Sequence, residues 1–217
     1  MSRRRFVAGM AATGAALTSV GWIFSGAEAA AYPLEPAVRD TTNAILAFVV
    51  PGNDRYSQHQ GMATDRPGGV TPGTAASLEL TFNEAIPEPI KGLLGIEETG
   101  SIAIAALVNL FTVTAFPQSI HGPFAAPFAN LSHQAKAHVF ELLDTDPRLP
   151  GLPIEFAINA IPTLAAFAAF SEHSAFDRQR RVLTGRPVGW ELTKYRGVSN
   201  GRNEFLGYYR GVDRVED

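Results

Sequence analysis

The residues able to do chemistry in this 217-residue chain are few, because it contains no cysteine and only five histidines, His59, His121, His133, His138 and His173. His133 and His138 are five positions apart. On a helix that spacing turns the two rings away from one another and misses the i, i+4 separation a shared metal needs. These imidazoles read as surface or capping groups. Asp54, His59 and Asp65 lie with Tyr56 and Gln60 in one polar stretch, 51–73, where they could form a metal or active site. Their spacing is not that of a calcium loop, so a solvated or docking loop is the alternative. Glu97-Glu98 and the pair Glu84 and Glu88 are acids of the type glycosidases use, but sequence does not set their separation. The sequence has no Gly-x-Gly-x-x-Gly turn, Walker loop, Gly-x-Ser-x-Gly elbow or His-Glu-x-x-His. Without cysteine, it also lacks the ligands of iron-sulfur clusters, c-type haem attachment and thiolate zinc sites.

The elements that would position these residues read as helices. Val38, Ile45, Leu46, Phe48 and Val49 mark a helix over 37–50, ended by Pro51-Gly52. The stretch 51–73 is dense in turn formers and reads as one long loop. A second helix starts at Thr74 and runs to Glu84 or beyond, although Leu78, Leu80 and Phe82 alternate as a strand would. The run 101–116 carries no charge and is shorter than the roughly 20 residues a bilayer span needs, so it reads as a helix buried on all sides. Ser132 is placed to cap a helix whose face holds Ala135, Val139, Leu142 and Leu143, ending before Asp144-Thr145-Asp146-Pro147. Another helix, 156–170, contains Pro162, which should bend or interrupt it. No convincing strand is visible, and the fold class is all-α: one helical domain with long irregular loops. From Gly185 onward the chain becomes aromatic, glycine-rich and basic. Trp190, Tyr195, Phe205, Tyr208, Tyr209 and Arg210 are candidate anchors for a partner protein, with closure of the core as the alternative role.

The first residues have a different composition. Arg3, Arg4 and Arg5 precede an uncharged stretch, 6–27, that is only mildly apolar and ends in Ala27-Glu28-Ala29. Positive n-region, apolar h-region and A-x-A site together form a signal peptide. With Ser2, Arg3, Arg4 and Phe6 in the order Ser-Arg-Arg-x-Phe, it resembles a twin-arginine export signal. The expected division is 1–29 as signal and 30–217 as the helical domain, with cleavage after Ala31 as the other option. Cleavage after Ala29 lowers the basic residues from 18 to 15 and the acidic from 21 to 20, taking the net charge from -3 to -5. A chain of that charge has no electrostatic case for binding nucleic acid.

The signal, the passage of the first helix into Val49-Val50-Pro51-Gly52, the Phe128-Ala129-Asn130-Leu131-Ser132 entry to a central helix and the late Gly207-Tyr208-Tyr209 carry a family resemblance. The chain resembles the third, small subunit of gluconate 2-dehydrogenase, a companion of large flavoprotein dehydrogenases of the glucose-methanol-choline type. The resemblance implies a non-catalytic exported subunit without a cofactor of its own. It would bind and stabilise a large subunit that carries FAD and lacks a signal, and the pair would cross through the twin-arginine translocase to the periplasm or exterior. Two other expectations remain open: a free-standing exported enzyme with its site on 51–73, and an extracytoplasmic helical protein that binds a ligand between its alanine-rich helices.

Overall fold

A computed structural model describes residues 34–85, 99–146, 155–177 and 179–195. The residues expected to form an export signal, Ser2, Arg3, Arg4 and Phe6, the paired acids Glu97-Glu98 and Glu88, and the tail residues Phe205, Tyr208, Tyr209 and Arg210 lie outside the described residues.

Seven α-helices form the described part: α1 (Leu34–Val49), α2 (Arg55–His59), α3 (Pro72–Ala85), α4 (Gly100–Ala115), α5 (His133–Thr145), α6 (Glu155–Phe170) and α7 (Val188–Thr193). They are joined in part by single 3-10 turns at Pro117–Ile120, Pro127–Asn130 and Glu172–Ser174. The described fold is therefore mostly helical, as expected. Its one departure is a two-residue antiparallel ladder, β1 (Phe176–Asp177) with β2 (Val182–Leu183), in register Phe176 to Leu183. No helix among the described residues is long and apolar enough to cross a membrane.

Helix α1 lies at the centre. It packs against α3, α4 and α6, and α5 closes over α4. Ala44, Ile45, Leu46 and Ala47 are all fully buried. A run of four takes in a full helical turn, so α1 must be covered on every side at that level. The alternating pattern in α3 resolves in favour of the helix: Leu78 and Phe82, four apart, are buried, while Leu80 is exposed. Helix α4 corrects the expectation of burial on all sides. Ile102, Ala106, Leu110 and Val113 form a half-buried face opposite the buried Ile104, Leu107 and Val108. Ser132 caps α5 as its type and position suggest, its Oγ accepting from the Ala135 N–H at 3.3 Å. The helix runs on to Thr145 rather than stopping before Asp144. Pro162 lies within a continuous α6.

One polar residue holds three of these elements together. The side-chain nitrogen of buried Asn109 on α4 donates to Thr41 Oγ1 on α1 and to its own helix at the Ala105 carbonyl, both at 2.8 Å. Its oxygen accepts from the Phe128 N–H at 3.0 Å in the 3-10 turn ahead of α5. Removing such a group leaves a buried donor without its acceptor. Asn109→Ala should destabilise the protein by about 3 kcal/mol in urea unfolding. Asn53→Ala, which removes only an exposed 3.3 Å bond from Gln58, should change stability by less than about 0.5 kcal/mol. Equal effects would contradict this ranking.

Candidate functional site

The stretch 51–73 is less a free loop than a segment fastened along the bundle. Its ends cross at Gly52 and Gly68, where a Cβ on Gly52 would lie 2.4 Å from the Gly68 nitrogen. A side chain at either position would push the crossing apart. Thr64 N–H bonds the Gly52 carbonyl at 3.0 Å and Gly69 N–H the Val50 carbonyl at 2.8 Å. Between these ends sits α2, a single helical turn that turn-forming composition alone concealed.

The three candidates for a loop-borne site have separate duties. Asp54 caps α2: its Oδ1 accepts from the N–H groups of Tyr56 and Ser57 at 2.9 Å, and its Oδ2 from the Ser57 hydroxyl at 2.7 Å. His59 Nε2–H donates to the Asn130 carbonyl at 3.2 Å, and its ring stands edge-on to Phe124. Asp65 is exposed. Among the described residues, no group of three or more acids and histidines is placed to hold a metal ion.

The polar side chains that are brought together are others. Asp40 of α1, almost completely buried, accepts from the Tyr56 hydroxyl at 2.5 Å, from Arg55 at 3.3 Å and from the Ala125 N–H at 2.8 Å. The Tyr56 ring stacks on Phe124 with centroids 4.5 Å apart, and the Arg55 guanidinium lies over both rings. Burial, then donation to Asp40, raises the Tyr56 pKa above its ordinary value. A second group lies deeper. Gln60 donates from its amide nitrogen to the Ala47 carbonyl at 2.7 Å and accepts at its oxygen from Lys136 Nζ at 2.8 Å. The amide orientation is fixed chemically, since a carbonyl can only be met by the NH2 end. Lys136 has no exposed surface, and burial, offset in part by the Asp54 carboxylate, draws its pKa down to about 7. The face expected for α5 took in Ala135 and Leu142, which are half-buried, and missed Lys136, which shares with Val139 and Leu143 the i, i+3, i+7 spacing of a buried face. Asp40 and Gln60 gave no such signal.

The aromatic end of the described chain is folded onto the bundle. Gly189 of α7 meets the Phe170 carbonyl at the end of α6 so closely that a Cβ would lie 2.2 Å from it. The Val188 N–H bonds Ser174 Oγ at 2.9 Å, and the Ser174 carbonyl accepts from Thr71 at 3.0 Å. Val188 is buried, Trp190 half-buried and Tyr195 exposed, with the Trp190 and Tyr195 rings edge-on at 5.2 Å. Arg186 secures this turn by donating to the carbonyls of Trp190 and Tyr195. On α6 beside it, Phe167 is 69% and Phe170 46% exposed. Elsewhere, a cleft of about 360 Å³ lies among α1, α5 and α6, lined by Phe48, Phe140, Leu143, Pro162, Glu141 and Asn159 among others.

Compared with protein-family models, curated proteins and solved structures, the chain matches none of them. The functional reading therefore rests on its residues and their geometry.

Tyr56→Phe removes the donor nearest Asp40 and should lower stability by about 2 kcal/mol at pH 8. A raised phenol pKa contributes stability that is present below the ordinary value, near 10, and is lost as pH rises above it. The wild type should therefore lose part of its advantage over Tyr56→Phe between pH 9 and pH 11. Denaturant midpoints of both proteins at these pH values measure this, and a constant difference would contradict it.

Proposed function

We propose that this chain is the small, non-catalytic, exported subunit of an oxidoreductase, binding a large flavin-dependent dehydrogenase of the glucose-methanol-choline type. Carrying it through the twin-arginine route would be its second task. The observation that carries the reading is the aromatic end of the fold. There, Phe167, Phe170 and Tyr195 stand exposed on and beside two helices that are closely packed against each other. Exposed aromatics on a rigid support are what protein interfaces use as anchors. The candidates Trp190 and Tyr195 belong to this surface, and the tail positions Phe205, Tyr208, Tyr209 and Arg210 follow directly in sequence. The export role rests on the Ser2, Arg3, Arg4 and Phe6 pattern. FAD, in this reading, belongs to the partner.

The reading is tested by co-expressing the chain with a flavoprotein that lacks its own signal. Replacing Arg3 and Arg4 with Lys should leave both proteins in the cytoplasm, and unchanged export of the flavoprotein would defeat the shared-signal idea. Phe167→Ala and Tyr195→Ala should each weaken the complex by about 2 kcal/mol, roughly 30-fold in Kd. Because both side chains face solvent, thermal unfolding of the free chain should shift by no more than about 2 °C. Binding that is indifferent to both changes would remove this surface from the interface. The cleft among α1, α5 and α6 favours a second reading, a ligand-binding protein, since about 360 Å³ falls within the size range of small-molecule sites. A small molecule retained by the chain purified alone would support it.

A further inference from the structure

Lys136 is an anomaly: a fully buried amine on a long, normally solvated side chain. Its amine reaches one hydrogen-bond acceptor, Gln60 Oε1, and lies 5.5 Å from the centre of the Phe128 ring. An ammonium has three donors to satisfy and a neutral amine only two, with a lone pair that asks for nothing in an apolar pocket. The site therefore suits the neutral form. Among the described residues no carboxylate forms an ion pair with it. The charge acting on the amine is that of Asp54, whose carboxylate is already engaged in capping α2.

The titratable groups on the surrounding elements have other partners. On α1, Asp40 holds Tyr56 and Arg55, and Arg39 pairs with Glu79 of α3 at 2.6 Å. On α2, Arg55 and Tyr56 belong to the Asp40 cluster, and His59 donates to the Asn130 carbonyl. On α5 itself the His133 ring packs on Phe48, and His138 meets Glu141 at the surface. Asp144 of α5 is exposed. Helix α4 and the 127–130 turn contain no titratable side chain.

Gln60 is where this amine touches the fastened segment. Its side chain joins Ala47 of α1 to Lys136 of α5, and its own carbonyl accepts from the His133 N–H at 3.0 Å. Withdrawing Gln60 would break its own ties to both helices at once and open Lys136 to water; full release of α2 also requires Tyr56 and Arg55 to part from Asp40. We propose that Gln60 and Lys136 form a proton-coupled latch, in which local opening of the segment 53–62 takes up one proton at Lys136 and closing expels it. The direction follows from linkage. Between the closed-state pKa of about 7 and the ordinary lysine value of 10.5, only the open form holds the extra proton. Opening thus becomes more frequent as pH falls through that window and levels off below neutrality.

Amide hydrogen exchange of the intact chain between pH 6 and 10, corrected for intrinsic exchange rates, tests this. The reporters are the His133 N–H, bonded to Gln60, and the Met62 N–H, bonded to the Ser57 carbonyl at 2.9 Å. Their opening constant should rise about tenfold per unit as pH falls from 10 to 8 and flatten near 7. Both amides should also exchange faster than those of α4, which report global unfolding. A pH-independent opening constant, or protection equal to that of α4, would overturn the latch. Lys136→Met should abolish the slope at both reporters, and a slope that persists would assign it to another group. Should that variant fail to fold, Gln60→Glu supplies a carboxylate that keeps Lys136 charged in the closed state. Its slope between pH 7 and 9 should vanish, and an unchanged slope would equally overturn the proposal.

Discussion

At the level of Ala44, Ile45, Leu46 and Ala47 no side of α1 is open to water, and the rest of the described structure is arranged around that enclosure. Three long helices and the single turn of α2 cover α1 directly, but helices alone do not close a bundle around a central member. The remaining sides are covered by irregular backbone: the 51–71 segment, the turn at 127–130 and the approach to it. Buried irregular backbone carries polar groups that no helix satisfies. Asp40, Asn109, Gln60 and Asn130 meet that need by reaching from helices or turns to main-chain atoms. Asn130 alone accepts from the Phe124 N–H and donates to the carbonyls of Ser119 and Phe124. With no cysteine to cross-link these stretches, amides, a carboxylate and a lysine provide the specific ties.

Helix positions were legible because their apolar spacing is local. The start of α5 was legible because Ser132 is a capping residue just ahead of a periodic run. The fastening of 51–73 was not, since Gly52 and Gly68 look like ordinary turn glycines until the two backbones are seen to cross. Asp54 and His59 looked like chemistry because of their residue types. Their actual duties, capping α2 and holding the Asn130 carbonyl, depend on a helical turn too short to show a period. The small ladder at 176–177 and 182–183 was likewise too short to leave an alternating pattern. Of the aromatic tail candidates, Trp190 and Tyr195 have a described place, where residues of α6 far away in sequence add Phe167 and Phe170 to the same region.

These features give the described structure two contrasting regions. Around α2 the polar side chains are mutually engaged, and their chemistry serves attachment, with Lys136 as the member whose charge state is at odds with its surroundings. At the α6–α7 end apolar side chains face outward on a supported surface. A companion subunit needs the second kind of surface more than it needs reactive groups. The arginine-led signal would then give such a subunit its reason to travel with a cofactor-bearing partner.

The central claim, partnership with a flavoprotein, is tested most directly by native mass spectrometry of the affinity-tagged chain recovered from the extracytoplasmic fraction of the cells that make it. The account predicts a heteromer of the chain with one larger protein carrying FAD. Recovery of the chain as a flavin-free monomer or homomer, from cells in which the export signal works, would contradict it.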